Sequence, residues 1–254
     1  MTATEFPVDD YLAHLGLSDV GPVTIGSLTK LHRAQAFSIP FSNVDIYRGG
    51  RRLLAIEAIV ENVLRRRRGG YCYELNGLFA AALEYGRFEV TRLMARNLMR
   101  PEVERQKTHM CLLATIRGRR FLCDQGFGVF GPVEPIPLEV GYVCKQHGLT
   151  YQMQSCHIGY RLAMRKEDAW EPLYEFSLET YPAIDFEIAH FYNSTAEQSV
   201  YRKNLIASLP LMEGRAFLRN SSFTHYADGQ VYTESFESDA LVDQALRNVF
   251  RLRL

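Results

Sequence analysis

The stretch Arg65-Arg-Arg-Arg-Gly-Gly-Tyr-Cys-Tyr-Glu-Leu-Asn76 decides how the rest of the chain is read. Gly69 and Gly70 let the backbone turn sharply after one helical segment. A second helical pattern starts at Tyr71 or Cys72 and runs to Tyr85. Leu75, Leu78, Phe79, Ala82 and Leu83 form its apolar face, and Gly86 follows as its C-cap. Cys72 therefore falls in the first turn of a long helix. Unpaired N–H groups and the helix dipole favour an anion there, and a thiolate is the anion a cysteine can offer. Arg68 adds positive potential beside it. A Gly-Gly linker, an inward-packed cysteine and four solvated arginines is the competing reading, and the local sequence leaves both open.

Upstream of this stretch, residues 8–17, 24–37 and 53–64 repeat apolar side chains at helical spacing, with Thr24 or Ser27 as an N-cap and Pro40 as a stop. Downstream the period changes. Residues 89–99, 109–116 and 121–127 read as strands, and 151–164 as two strands about a turn at 157–159. The last third mixes helices at 183–193 and 239–250 with strands at 216–223 and 230–236. A helical block, a strand block and a mixed block predict an α+β fold.

A nucleophilic cysteine needs a base and a group that orients the base. His109 opens an apolar strand, Arg117-Gly118 offers a two-residue turn, and Asp124 ends the next apolar strand. A loop centred on Arg117-Gly118 sets Asp124 opposite Cys111. Alternation then puts His109 on the same face, diagonal to Asp124 at about 7–8 Å between Cα atoms. A loop of odd length would separate the two. His109 could equally cap a strand edge, and Asp124 could begin the turn made with Gly126 and Gly128. His14 and His32 read as surface residues of helices. His147, His157, His190 and His225 fall in loops or at element ends without a carboxylate partner.

The chain has 254 residues, 47% of them hydrophobic, with 29 basic residues against 29 acidic ones. That composition excludes disorder and a small disulfide scaffold, and zero net charge argues against nucleic acid as a partner. No run is long enough to span a membrane, and the first residues lack the features of a signal peptide. Five cysteines without close pairs point to free thiols in the cytoplasm. Zinc is the rival use of His109, Cys111 and Cys123, or of Cys144 with His147, but the tight ligand pairs of a structural site are missing, so no metal is expected. No phosphate-cradling glycine motif occurs. The basic clusters at 65–67 and 117–120 carry no assigned role.

Arg68-Gly-Gly-Tyr-Cys-Tyr-Glu-Leu-Asn76 resembles the R-G-G-x-C-x-E-x-N motif of the arylamine N-acetyltransferases. Thr108-His109-Met110 and Asp124-Gln-Gly-Phe-Gly128 look like that family's His and Asp segments. Ile39-Pro-Phe-Ser-Asn-Val-Asp45 is similar to its I-P-F-E-N-L-D segment, and Trp170-Glu-Pro-Leu-Tyr-Glu-Phe176 to its W-x-x-x-Y-x-F segment. Ser42 stands in place of a Glu, and Gln125 in place of a small apolar residue, which would put an amide beside the site wall.

The resemblance implies a helical bundle over 1–86, a β-barrel over 87–182 and an α/β lid over 183–254, with a cysteine-protease-like triad of Cys72, His109 and Asp124. It implies ping-pong transfer of an acetyl group from acetyl-CoA to an arylamine or hydrazine nitrogen. Arg68 and Glu74 are expected to form an ion pair at the helix start. Phe127, Val129, Phe41 and Phe37 are expected to line the amine pocket. Three alternatives stay open: an amide synthase using a longer acyl thioester, with a carrier protein in place of CoA; a hydrolase; and a non-catalytic binding protein.

Overall fold

In the computed structural model the described residues are 6–99, 106–227 and 229–254. Helices α1 (Val8–Leu15), α2 (Ile25–Ser38), α3 (Val44–Tyr47), α4 (Ile56–Val60) and α5 (Cys72–Tyr85) come first, with a short strand β1 (Phe41–Ser42) between α2 and α3. Gly16 ends α1 at φ 68°, and the Leu17 N–H reaches back to the Leu12 carbonyl. Thr24 caps α2 by accepting from the Ser27 N–H. The expected helix over 53–64 is shorter at its start. Arg52 is drawn into a buried ion network there, and α4 passes into a π-helical turn, Glu61–Arg65. Helix α5 is buried on all sides rather than on one face, as expected of a helix at the centre of a fold. Gly86 does follow α5, but at φ −73°, and the left-handed residue is Arg87 at φ 61°. A Cβ on Gly86 would lie 2.5 Å from Val20, so close packing requires this glycine.

Strands β2 (Glu89–Asn97), β3 (His109–Ile116), β4 (Arg119–Cys123), β5 (Ile136–Pro137), β6 (Val143–Gln146), β7 (Leu149–Cys156), β8 (Gly159–Lys166) and β9 (Ala169–Phe176) form one antiparallel sheet in the order β5-β4-β3-β2-β9-β8-β7-β6. Its two edges approach through Gln146 of β6. The Gln146 amide accepts from the Val133 and Glu134 N–H groups just before β5 and donates to the Glu134 carbonyl, so the sheet is a nearly closed barrel. Alternation sorts the faces of β3. Cys111 and Leu113 point into the barrel core with Leu93, Leu122 and Tyr151, while Met110, Leu112 and Ala114 pack on the helices.

The remaining elements are α6 (Ala183–Thr195), α7 (Val200–Lys203), β10 (Ile206–Pro210), β11 (Arg215–Arg219), β12 (Ser222–Ala227), β13 (Gln230–Ser235) and α8 (Asp239–Asn248). The single strand expected over 216–223 is a hairpin, because Asn220 takes a left-handed turn at φ 54°. The second sheet runs β1-β10-β11-β12-β13, so residues 41–42 join strands more than 160 positions away. Its core is built from Leu205, Ala207, Leu209, Ala216 and Leu218 against Val242, Leu246 and Phe250. Asn43 stitches this junction, donating to the Tyr201 and Asn204 carbonyls and accepting from the Ile206 N–H.

Candidate active site

Arg117 and Gly118 have φ of 49° and 77°, the two left-handed residues of a type I′ turn. The β3–β4 register pairs Ile116 with Arg119 and Leu112 with Cys123, as a two-residue loop requires. Asp124 is the next residue after the ladder, and β4 stops there rather than running to Phe127. The Asp124 N–H turns out of the sheet to the His32 ring nitrogen, 3.3 Å, and its carboxylate takes the Gly126 N–H, 2.8 Å. His32 is thus fully buried, not at the surface, and burial pulls its pKa down to about 4, which keeps it a neutral acceptor.

His109 and Asp124 meet at 2.7 Å between Nε2 and Oδ2. Burial opposes a charged ring. The Asp124 charge and hydrogen bonds to Asp124 and Cys72 outweigh it and push His109 up to about 10. Burial likewise opposes an ionised Asp124, yet His109, the Gly126 N–H and Asn76 hold its carboxyl below the usual range. The His109 nitrogen left over for Cys72 is Nδ1. Cys72 is the first residue of α5, is wholly buried, and has its sulfur 3.9 Å from the Thr108 carbonyl oxygen. The sulfur therefore faces a polar group. Burial pushes the Cys111, Cys123 and Cys144 thiols up. All five cysteines are free.

The signs of these shifts give a pH prediction. A raised His109 contributes stability that is whole below its ordinary pKa of 6.5 and is lost as pH rises through about 10. A lowered Asp124 contributes stability that is present above its ordinary value and lost as pH falls through the folded one. The unfolding free-energy difference between the wild type and His109→Gln should therefore shrink by on the order of a few kcal/mol from pH 6.5 to 10. Urea titrations across that range check it, and a constant difference contradicts it.

Three groups clamp the Asp124 loop onto α5 and α2. Asn76, one turn after Cys72 on the same helix face, donates to the Met110 carbonyl and to Asp124 Oδ1 at 2.7 and 3.1 Å. Its carbonyl oxygen accepts from the Gln125 N–H at 2.9 Å. The Gln125 amide reaches the His32 carbonyl at 3.0 Å. Gly126 passes so close to Cys72 that a Cβ would lie 2.3 Å from the Cys72 Cα.

Arg68 and Glu74 do not pair with each other. Glu74 accepts from the Tyr71 N–H and is bound by Arg52 at 2.8 Å, both side chains 1% exposed. Arg68 instead pairs with Asp45 and donates to the Arg253 carbonyl, because the left-handed Gly69 turns the chain between Arg68 and the helix. Asp45 also meets Arg52 at 3.0 Å, so the expected pair is a four-membered chain, Arg68–Asp45–Arg52–Glu74. Arg52→Met leaves Glu74 buried and unpaired and should cost about 3–5 kcal/mol of stability, seen as a lower urea midpoint. A loss below about 1 kcal/mol would contradict this role.

Phe127 packs edge-on to His109 at 5.2 Å and against Tyr174 of β9 at 4.8 Å. Phe41 borders a small cavity with Asp124 and Phe127. Val129 is buried, and its carbonyl accepts from Arg215. Phe37 packs against His147 and under Arg33. Four supports had no assigned role in the sequence. Arg52 is one, and the Tyr174 ring, 5.1 Å from His109 and buried beside Asp124, is another. On α6, His190 accepts from the Tyr71 hydroxyl and donates to the Arg52 carbonyl, and Asn193 donates to the Thr108 carbonyl at 2.9 Å. One helix thus grips the residue before Cys72 and the residue before His109. His190 is buried in mid-helix rather than at an element end. Their only sequence signal is two polar residues three positions apart on a helix.

Among the described residues no cluster of His, Cys, Asp and Glu could hold a metal ion, and no helix is long and apolar enough to cross a membrane. A cleft of 1510 Å³ opens between the two sheets, with Lys145, Arg161, Arg165 and Lys166 in its walls.

The N-acetyltransferase family model matches residues 24–254. The arylamine N-acetyltransferase of Mycolicibacterium smegmatis is 34% identical over 250 residues, 96% of this chain and 91% of its own length. The arylamine N-acetyltransferase / N-hydroxyarylamine O-acetyltransferase of Salmonella typhimurium is 30% identical over 86% of this chain and 79% of its own. The structure of the Mycobacterium marinum arylamine N-acetyltransferase in complex with CoA superposes with a TM-score of 0.92 at 30% identity, over 96% of this chain and 92% of that one. A cysteine opening the central helix, a barrel presenting an imidazole and a carboxylate to it, and matches along nearly the whole length agree: the chain belongs to the arylamine N-acetyltransferase family and is an acyltransferase.

Proposed function

We propose that the chain transfers an acetyl group from acetyl-CoA to an arylamine or arylhydrazine nitrogen through a thioester on Cys72. The observation that carries this reading is the convergence of three groups: His109 is bound to Asp124 at 2.7 Å, and the Cys72 sulfur at the start of α5 lies 3.9 Å from the carbonyl of Thr108, the residue before His109. In the first half-reaction His109, held protonated by Asp124, keeps the thiol proton on Nδ1 while the Cys72 sulfur attacks the thioester carbonyl. N–H groups in the first turn of α5 offset the oxyanion. The bond to the CoA sulfur breaks, and CoA leaves with the proton from His109. In the second, the amine nitrogen attacks the Cys72 thioester, His109 takes the amine proton, and the amide departs as the thiol is restored. Asp124 keeps Nε2 protonated and so keeps Nδ1 turned to the sulfur.

Both carbonyl exchanges pass between groups of similar energy, which suits a sulfur nucleophile to a thioester donor. The inter-sheet cleft offers cations for the CoA phosphates, and the bound CoA of the M. marinum relative supports that donor. Phe127, against His109, is the side chain we assign to the aromatic amine. Initial rates over a grid of acetyl-CoA and arylamine concentrations test the proposal. Parallel double-reciprocal lines are expected. Intersecting lines would refute a free acyl-enzyme, and turnover only with longer acyl thioesters would refute the acetyl donor.

A further inference from the structure

The run Arg65–Arg68 contains one member unlike the others. Arg65 pairs with Asp10, Arg66 with Glu61 and Arg68 with Asp45. No described carboxylate lies within ion-pair distance of Arg67. It lines a cavity of 170 Å³ whose other walls include His14 at the end of α1, Ser38 at the end of α2, Gly69, and Arg251 from the C-terminal segment. Arg251 also has no described carboxylate partner. No acidic side chain lines the cavity.

The convergence is held by the backbone. Arg67 and Arg251 both sit in the left-handed region, at φ 51° and 57°, where residues other than glycine are uncommon. The Arg253 N–H donates to the Arg67 carbonyl at 3.0 Å, and Arg68 donates to the Arg253 carbonyl at 2.5 Å, so the two segments are tied side by side. The positive field reaches His14: burial first, and then the Arg67 charge, lower its pKa. Two arginines, a histidine and a serine line one small cavity that no described acidic side chain shares, which makes it an uncompensated anion receptor.

We propose that this cavity binds a phosphate group, free or as the terminal group of a phosphomonoester. The volume admits a tetrahedral oxyanion with some water, since each water in the liquid occupies about 30 Å³. The fork of an arginine matches two phosphate oxygens. The site lies at the loop that leads into Cys72, but its chemistry is independent of acyl transfer, and it stands whether or not the proposed reaction does.

Thermal unfolding of the full chain in rising inorganic phosphate, with ionic strength held constant by sodium chloride, tests it. The Tm should rise saturably, by about 2–4 °C at several times the dissociation constant. The double variant Arg67→Gln/Arg251→Gln should lose that rise, while Lys145→Ala, in the inter-sheet cleft, should keep it. Amide NMR on the wild type supplies a readout that needs no variant. The Gly69 resonance should move with the midpoint of the Tm curve. A 3′-nucleotide in the second arm separates the sources: an equal midpoint assigns free phosphate, and a lower one assigns a phosphomonoester. An unchanged Tm rise in the double variant, or a Gly69 resonance that does not respond, would overturn the proposal.

Discussion

Cys72→Ser is expected to lower acetyl transfer by at least about 1000-fold while the chain stays folded. A serine hydroxyl fits the volume of the thiol and can still bond to His109, so the melting temperature should change little. The chemistry changes much more. The hydroxyl is a far weaker acid than a thiol, so handing its proton to His109 is steeply uphill. Any oxygen ester formed would also be a poorer acyl donor to an aromatic amine than a thioester. None of the other four cysteines can substitute. Cys111 and Cys123 are buried with thiols pushed up, and none of the four opens a helix against an imidazole. Transfer within tenfold of the wild type would remove Cys72 from the mechanism.

Asp124→Asn should lower kcat by about 1000- to 10,000-fold, by a different route. One oxygen of Asp124 accepts from Asn76 and Gly126, and an asparagine carbonyl can keep both bonds. Its amide then faces His109 Nε2 and donates to it. The ring must accept there, so its proton moves to Nδ1, the nitrogen that has to receive the thiol proton. The Asp124 charge and hydrogen bond, which hold His109 up near 10, are lost together. Steady-state kinetics should show the fall in kcat with little change in KM for the amine. The His109 ring resonances should titrate well below the wild-type position. An unchanged kcat, or an unmoved His109 titration, would contradict the orienting role.

Central parts of this site were legible because they are local. The start of α5 follows from two glycines and a helical period within a dozen residues. The His109–Asp124 pair follows from one turn and strand alternation. The Arg52–Glu74 bond joins residues 22 positions apart, and Arg52 lies in a stretch whose pattern reads as the run-up to a helix. The expected Arg68–Glu74 pair rested on nearness in sequence, while a left-handed glycine between them sends the two side chains to different partners.

His32 shows another limit. A histidine on a helix reads as a surface group, but here its lone pair is the acceptor for the Asp124 N–H that leaves the ladder. Strand β9 escaped period reading for a local reason: Pro172 interrupts it, and the β8–β9 register shifts at Leu162 and Ala163. Strand β1 is two residues long, and only its partner β10 makes it a strand. The grip of α6 on Tyr71 and Thr108 needs the tertiary fold to exist at all.

The most direct test is intact-mass analysis of the protein mixed with acetyl-CoA in the absence of any amine, followed by peptide mapping. The account predicts one added acetyl group, located on the peptide carrying Cys72 and discharged when an arylamine is added. A protein that stays unmodified until the amine is present, or an acetyl group found on another residue, would contradict it.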